Sequence, residues 1–378
     1  MSGRAYVLAL VMAAVLAGGI QACSPARLDE AVRVLADIDA GAGPSALKEQ
    51  TPAPVRRPVR YTVDGRARAG DLYLPGNGAL AAMVLVPGIT PEGKDDPRLV
   101  AFAGTLARAR FEVLVPDLPK LRQLKVSPED ARAIADASVY LEGRAPGGRP
   151  LGLTAISYAV GPAVIALFEP GAAERIDFVL AIGGYYDIEA VLTFFTTGYY
   201  REAGAAAWRR RTPNAYGKWV FVKSNADRVG NAADRALLAA MAERKLADLG
   251  ADASDLAGRL GPAGGAVHAL LANRDPERVP GLIARLPPGI TADMAALDLK
   301  RRDLGALKVR FVLVHGRDDP IIPETESESL AAALPRAELF LVDSLNHVDP
   351  KPVGLSDKLV LLQAIYTLLR LRDAPPGP

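Results

Sequence analysis

Apolar positions along the chain fall into two alternating rhythms. The runs AAMVLVPG (residues 81–88), FEVLVPDLP (111–119), LGLTAIS (151–157), IDFVLAIGGYYD (176–187), VRFVLVHGRDD (309–319) and AELFLVDS (337–344) are strand-length and largely without polar alternation. That is the pattern of strands covered on both faces. VRYTV (59–63) and AGDLYLP (69–75) precede them as a pair of strands. Between the runs, apolar residues recur at three- and four-residue steps. One helix is expected after Asp96 as N-cap, with Pro97 at its first position and Leu99, Phe102 and Leu106 on its apolar face. Others are SPEDARAIADASVYLEG (127–143), capped by Ser127 with Asp130 three on, AVGPAVIALFE (159–169), and LSDKLVLLQAIYTLLRL (355–371). Strand alternating with helix predicts an α/β chain built on a doubly wound, mostly parallel sheet.

Two stretches break the rhythm. Between Asp187 and Val309 no convincing strand occurs, and the segment is too long for a loop, so it reads as an inserted helical subdomain. NAADRALLAAMAERKLADLG (231–250) and AVHALLAN (266–273) are its clearest helical pieces, with Asn231 and Thr291 as expected N-caps. At the other end, ARLDEAVRVLADI (26–38) places Leu28, Val32, Leu35 and Ile38 on one face of a short amphipathic helix. GAGPSALKEQTPAPVRRP (41–58) then reads as a tether or a surface-hugging connection, and the folded domain is expected to begin near Val59.

Composition narrows the function classes. Half of the 378 residues are hydrophobic, which supports a large core. A net charge of +2 without a basic block argues against nucleic acid as a partner. One cysteine excludes an internal disulfide, and His268, His315 and His347 are too scattered for a metal-ligand spacing, so neither a metal nor a cofactor is expected. The apolar run Ala5 to Ile20 behind Arg4 has the length of a signal-peptide core. IQAC, ending at Cys23, resembles a bacterial lipobox, in which the cysteine becomes the lipidated first residue. The resemblance implies a lipid on Cys23 holding the protein at the bacterial cell envelope, facing the periplasm or exterior. A cut after Ala22 giving a soluble secreted protein, or an uncleaved anchor helix, are the alternatives.

In open parallel sheets, reactive groups collect at the carboxyl ends of the strands. Three such ends carry one: Ser157 at a strand-to-helix turn, Asp319 after VRFVLVHG, and His347 in SLNHV after the last strand. From residue 59 to 371 the chain resembles the α/β-hydrolase family, with dienelactone-hydrolase-like esterases carrying a helical insertion as the nearest branch. AISYA (155–159) resembles the nucleophile elbow, HGRDDPIIP (315–323) the acid loop, SLNHV (344–348) the histidine loop, and VLVPG (84–88) the oxyanion loop with Pro87 in place of the commoner histidine. The order Ser, Asp, His is also the family's. The resemblance implies Ser157 as nucleophile, His347 as base, Asp319 as the acid that orients it, and the backbone N–H groups of Tyr158 and Ile89 as the oxyanion hole.

The chemistry is coherent on its own terms. A serine hydroxyl needs a base within hydrogen-bond reach to attack a carbonyl, the resulting imidazolium needs a carboxylate, and the tetrahedral oxyanion needs fixed donors. Each assignment has a rival. Ser157 also suits tight strand–helix packing. Asp318 and Asp187 compete with Asp319, and His315 and His268 are expected to be structural. Asp95 and Asp96 read as helix caps. In the elbow, Ala155 and Ala159 stand where the family has glycines, a departure that bears on whether the turn is tight enough to present Ser157.

The insertion should fold over the catalytic edge as a cap. Its opening, LTFFTTGYYREAG (192–204), supplies Phe194, Phe195, Tyr199 and Tyr200 as candidate walls of an apolar substrate pocket, with packing of cap onto core as the rival reading. Arg209, Arg210 and Arg211 read as a solvated basic face. The expected organisation is thus a signal peptide (1–22), a lipidated N-terminus and linker (23–58), a hydrolase core (59–187 and 305–371), a helical cap (188–304) and a disordered tail (372–378). The expected function is a serine hydrolase of carboxylic esters acting on a small-molecule or lipid-like acyl substrate. The alternatives are a thioesterase, lactonase or acyltransferase using the same residues, or an inactive hydrolase-fold scaffold. The sequence leaves the oligomeric state open.

Overall fold

The computed structural model describes residues 24–144, 148–172, 174–343 and 354–375. Cys23, the segment before it, and the SLNHV segment with His347 lie outside the described residues. An eight-stranded sheet organises the rest. In chain order its strands are β1 (Val55–Val63), β2 (Arg66–Leu74), β3 (Ala81–Val86), β4 (Phe111–Pro116), β5 (Leu151–Ile156) and β6 (Phe178–Ile182). The cap contributes a separate two-residue ladder, β7 (Tyr199–Tyr200) with β8 (Arg209–Arg210), before β9 (Arg310–Gly316) and β10 (Ala337–Val342) complete the main sheet. The order across the sheet is β1-β2-β4-β3-β5-β6-β9-β10, and β2 alone pairs antiparallel with both neighbours. The β1–β2 hairpin turns on Asp64 and Gly65, both at positive φ (48° and 77°), as a two-residue loop joining right-twisted strands requires.

Helices cover both faces. On one, Val84, Leu114, Leu153 and Phe311 pack beneath the helices Glu129–Glu142 and Val160–Ala166 and the cap. On the other, Met83, Val113, Phe178 and Val312 pack beneath Pro97–Arg108 and the C-terminal helix Leu355–Arg372. Each fully buried large side chain of this kind contributes about 1.5–3 kcal/mol. Asp96 caps its helix through the Arg98 N–H (2.9 Å) with Pro97 first, and Asn231 caps Ala232–Ala247 through the Asp234 N–H (3.0 Å). The helix Glu129–Glu142 has Pro128, not the expected Ser127, at its N-cap; Asp130, in its first turn, accepts the Ser127 N–H at 2.9 Å. Thr291 is no cap: it lies inside the helix Pro288–Leu297, which Pro287 and Pro288 start instead. Asp95 belongs to a short 3-10 turn and is held by Lys94 and Arg56.

The N-terminal region departs most from expectation. The helix forms over Pro25–Ala40, but its buried positions are Ala31, Val34 and Asp37, while Val32 and Ile38 are exposed. Its rotation is set by the Asp37 carboxylate, which accepts from Thr105 (2.6 Å), Lys48 (2.5 Å) and Ser45. Residues 41–58 do not form a tether: Ala46–Gln50 is a further helical turn and β1 already begins at Val55. Nor does the tail start at 372. Arg372 is 3% exposed and pairs with Glu30 (2.5 Å), clasping the first helix to the last. Among the described residues no helix is long and apolar enough to cross a membrane.

Candidate active site

Ser157 follows the last residue of β5 and opens the 3-10 turn Ser157–Ala159 that leads into the helix Val160–Ala166. Its φ is 61°, in the left-handed region, which costs a side-chain-bearing residue about 1–2 kcal/mol. A non-glycine residue held there must be over-determined by its surroundings, and such residues concentrate at functional sites. Ala155 and Ala159 are fully buried, so the turn forms with both methyls in place. The closest approaches lie one step further out. A Cβ on Gly161 would collide with the Tyr185 hydroxyl, and one on Gly184 would lie 2.6 Å from Cγ1 of Val160. Glycine is thus used where this helix meets the end of β6, beside the elbow and not within it.

β3 pairs in parallel with β5, with Val86 opposite Ala155, so the loop after β3 rises beside the elbow. Gly88 is close enough to Ile156 that a Cβ on it would lie 3.9 Å from the Ile156 carbonyl oxygen. Ile89, the expected second oxyanion donor, is buried in that loop, and Tyr158, the expected first, sits in the turn itself.

Beyond β9, Asp319 is 2% exposed, whereas Asp318 next to it is exposed. The Asp319 Oδ1 accepts the backbone N–H groups of Ile321 (2.8 Å) and Ile322 (3.1 Å), which fixes the carboxylate within its own loop. His315 supports that loop from inside the sheet. Its Nε2 donates to the Ile322 carbonyl oxygen at 2.9 Å and lies 3.5 Å from the Asp319 carboxylate, and its Nδ1 is hydrogen-bonded with the Ser327 hydroxyl at 2.6 Å. β10 ends at Val342 opposite Gly316, the residue from which the acid loop departs. The rival Asp187 is committed elsewhere: its Oδ1 caps the helix Ile188–Thr197 through the Glu189 N–H at 2.9 Å, and its Oδ2 pairs with Lys300 at 2.8 Å. His268 is half-buried on the cap helix Pro262–Ala272.

The cap closes over this edge through the helices Ile188–Thr197, Tyr216–Asn225 and Pro288–Leu297. Beneath them is a cavity of about 80 Å³ whose walls include Tyr158 from the elbow turn, Tyr185 from the end of β6, and Phe195 and Phe221 from the cap. Of the four aromatics expected to wall a pocket, Phe195 is there. Phe194 is fully buried edge-on against Tyr200 (5.6 Å between ring centroids), and Tyr199 packs on Trp208 (6.5 Å). Helical spacing turns Phe194 and Phe195 about 100° apart, so adjacent residues face different neighbours. Tyr200 serves another purpose: its hydroxyl accepts from Arg211 Nη2 at 2.8 Å.

Two groups, the half-buried Arg211 and the buried Glu326, have roles that nothing in the sequence signals. Arg211 is not part of a solvated face. It donates to the Asp319 main-chain carbonyl (3.1 Å) and to Glu324 Oε2 (3.0 Å), while Arg209 and Arg210 are exposed. Glu326 accepts the N–H groups of Tyr186 (2.9 Å) and Asp187 (2.7 Å), where the chain passes from core to cap, and burial pushes its carboxyl up to about 8. No group of three or more potential metal ligands occurs among the described residues.

No protein-family model and no curated protein matches the sequence. Solved structures do. EstE1, a thermophilic and thermostable carboxylesterase cloned from a metagenomic library, aligns over 93% of this chain and 99% of its own at 14% identity and a TM-score of 0.45. A lipase in an open form aligns over 85% and 100% at 15% identity and 0.48, and Est1E from Butyrivibrio proteoclasticus over 85% and 99% at 13% and 0.43. The strand order, the reversed β2 and the left-handed turn at the end of β5 make this an α/β-hydrolase fold with a helical cap.

Proposed function

We propose that the protein is a serine hydrolase that cleaves carboxylic esters through an acyl-enzyme on Ser157. The observation that carries this reading is the left-handed Ser157 at the β5-to-helix turn, since nothing in packing requires a serine at a φ that glycine would adopt without cost. A buried, backbone-fixed Asp319 at the end of the next strand but one supports it. In this reading His347 takes the Ser157 proton as Oγ attacks the ester carbonyl, Asp319 holds the imidazole, and the N–H groups of Tyr158 and Ile89 receive the oxyanion. Collapse of the tetrahedral intermediate expels the alcohol, which takes the proton from His347, and water then releases the acid by the same steps in reverse order. Placement at the bacterial cell envelope through a lipid on Cys23 is part of the proposal.

Fluorophosphonate labelling tests the chemistry. One label per folded chain, lost in Ser157→Ala and His347→Ala, together with turnover of p-nitrophenyl esters, is the expected result. A folded chain that takes no label is a hydrolase-fold scaffold instead. For the anchor, radioactive palmitate should label the wild type and not Cys23→Ala; equal labelling of both removes Cys23 as the attachment point.

A further inference from the structure

The cavity under the cap has almost entirely apolar walls, among them Val191, Leu192, Phe195, Val220, Phe221 and Met294. The polar groups that reach it have partners, with one exception. Ser224 Oγ accepts the Val126 N–H (2.8 Å) and faces the Leu124 carbonyl (3.3 Å), Asn225 Nδ2 donates to the Phe221 carbonyl (2.9 Å), and Asp293 pairs with Arg228 (2.6 Å). The Tyr158 hydroxyl is shut off from solvent and has no hydrogen-bond partner among the described residues. Its surroundings are close but offer it nothing: a Cβ on Gly217 would lie 3.3 Å from it, and the Tyr185 ring stands 6.3 Å away, centroid to centroid, with its own hydroxyl given to the Leu297 carbonyl (3.0 Å). Burial, with a smaller contribution from Asp319, raises its pKa well above that of a free phenol, which keeps it a neutral O–H donor.

Leaving a buried hydroxyl unpaired is unfavourable, and native proteins rarely do so without a reason. Here the reason lies in where the residue sits. Tyr158 immediately follows Ser157, so its main chain borders the position of an acylated serine while its side chain extends into the cavity. The cavity is about half the volume of the 150 Å³ engineered void that admits benzene, which leaves room for about three chain atoms. We propose that this cavity receives the acyl group of the substrate and that the Tyr158 hydroxyl donates to an oxygen carried on that group, selecting short, oxygen-bearing acyl chains over all-carbon ones. The proposal rests on the serine-hydrolase reading above and names the substrate class for it.

Isosteric pairs of p-nitrophenyl esters provide the test: butanoate against methoxyacetate, and pentanoate against 3-methoxypropanoate, in which an ether oxygen replaces one methylene. Each ratio of kcat/KM is compared between wild type and Tyr158→Phe, so that the differing intrinsic reactivity of the esters cancels. One neutral hydrogen bond predicts that wild type favours the oxygen-bearing member of at least one pair about 2- to 10-fold more than Tyr158→Phe does. Identical ratios in the two proteins for both pairs overturn the assignment. Thermal unfolding of the ligand-free proteins gives a second readout. Tyr158→Phe should unfold at a higher temperature than wild type, because it removes an unpaired hydroxyl; a lower temperature means the hydroxyl already has a partner, and also overturns it. Gly217→Ala, which narrows the cavity, should depress turnover of pentanoate more than of acetate, and equal depression places the acyl group elsewhere. If fluorophosphonate does not label Ser157, the hydrolase reading has failed and this inference falls with it; labelling with unchanged ratios sinks the inference alone.

Discussion

The Arg211 guanidinium, carried by the cap, donates to the main-chain carbonyl of Asp319 at 3.1 Å and so ties the cap to the loop of the candidate catalytic acid. The same side chain pairs with the buried Glu324 and donates to Tyr200. Removing one partner of a fully buried pair leaves the other uncompensated and costs about 3–5 kcal/mol, an upper bound for this pair because Arg211 is only half-buried. Arg211→Ala should therefore lower the unfolding midpoint markedly and reduce ester turnover, while Arg211→Lys, which keeps the charge but not the fork, recovers part of the stability and less of the turnover. Arg210→Ala, at the exposed neighbouring position, should stay within about 0.5 kcal/mol of wild type in denaturant titration. Equal effects at the two positions would argue against the clamp.

Ser157 gives a prediction about strain. At φ 61° glycine has no steric penalty and alanine has the full one, so Ser157→Gly should unfold at higher denaturant than Ser157→Ala, by about 1 kcal/mol. Glycine's larger unfolded-state entropy works the other way and sets the margin. A Ser157→Gly variant less stable than Ser157→Ala would mean the turn is not left-handed in solution.

How much of this was legible depends on whether a residue's role is local. The strands were readable because runs such as AAMVLV and RFVLVHG are apolar without interruption, as burial on both faces demands. Ser157 and Asp319 were readable because strand ends are where a parallel sheet collects reactive groups. Roles set by partners distant in sequence were not. Nothing in ARLDEAVRVLADI says that Asp37 rather than Ile38 faces inward, because that is decided by Thr105 and Lys48. Arg211 looks like its neighbours Arg209 and Arg210 until Asp319 and Glu324 are brought to it. Phe194 and Tyr200 find each other within the cap, and composition alone could not separate them from Phe195 at the cavity. The tyrosine of AISYA was in plain view, but its place at the elbow pointed to its main chain, and only the cavity gives its hydroxyl a meaning.

Glu326 makes stability depend on pH. Burial raises its carboxyl from an ordinary value of 4.5 to about 8, so between those values the folded chain holds a proton that the unfolded chain has released. Its contribution is therefore fully present below about pH 4.5 and is lost as pH rises through about 8. Glu326→Gln cannot ionise, and its side-chain oxygen can still accept the Tyr186 and Asp187 N–H groups. The variant should lose little near pH 5 and gain on wild type as pH rises, so that the difference in unfolding midpoint grows steadily to about pH 8.5. A difference independent of pH across that range would show that Glu326 is ionised in the fold throughout.

Gly161 tests whether the elbow is braced from outside. A methyl there would occupy the position of the Tyr185 hydroxyl, which itself donates to the Leu297 carbonyl at the end of a cap helix. Gly161→Ala must push Tyr185 aside or shift the helix that follows Ser157, and overpacking of this kind costs about 1–3 kcal/mol. In an ordinary helix the same substitution would stabilise by roughly 1 kcal/mol, so the sign alone is informative. Gly161→Ala should lower the unfolding midpoint and slow fluorophosphonate labelling of Ser157. Pairing it with Tyr185→Phe, which removes the colliding oxygen, should recover part of both. Ala159→Gly completes the comparison: because the turn already forms around the buried Ala159 methyl, a glycine there should cost stability without accelerating labelling. Faster labelling in Ala159→Gly would instead locate the constraint on Ser157 inside the turn itself.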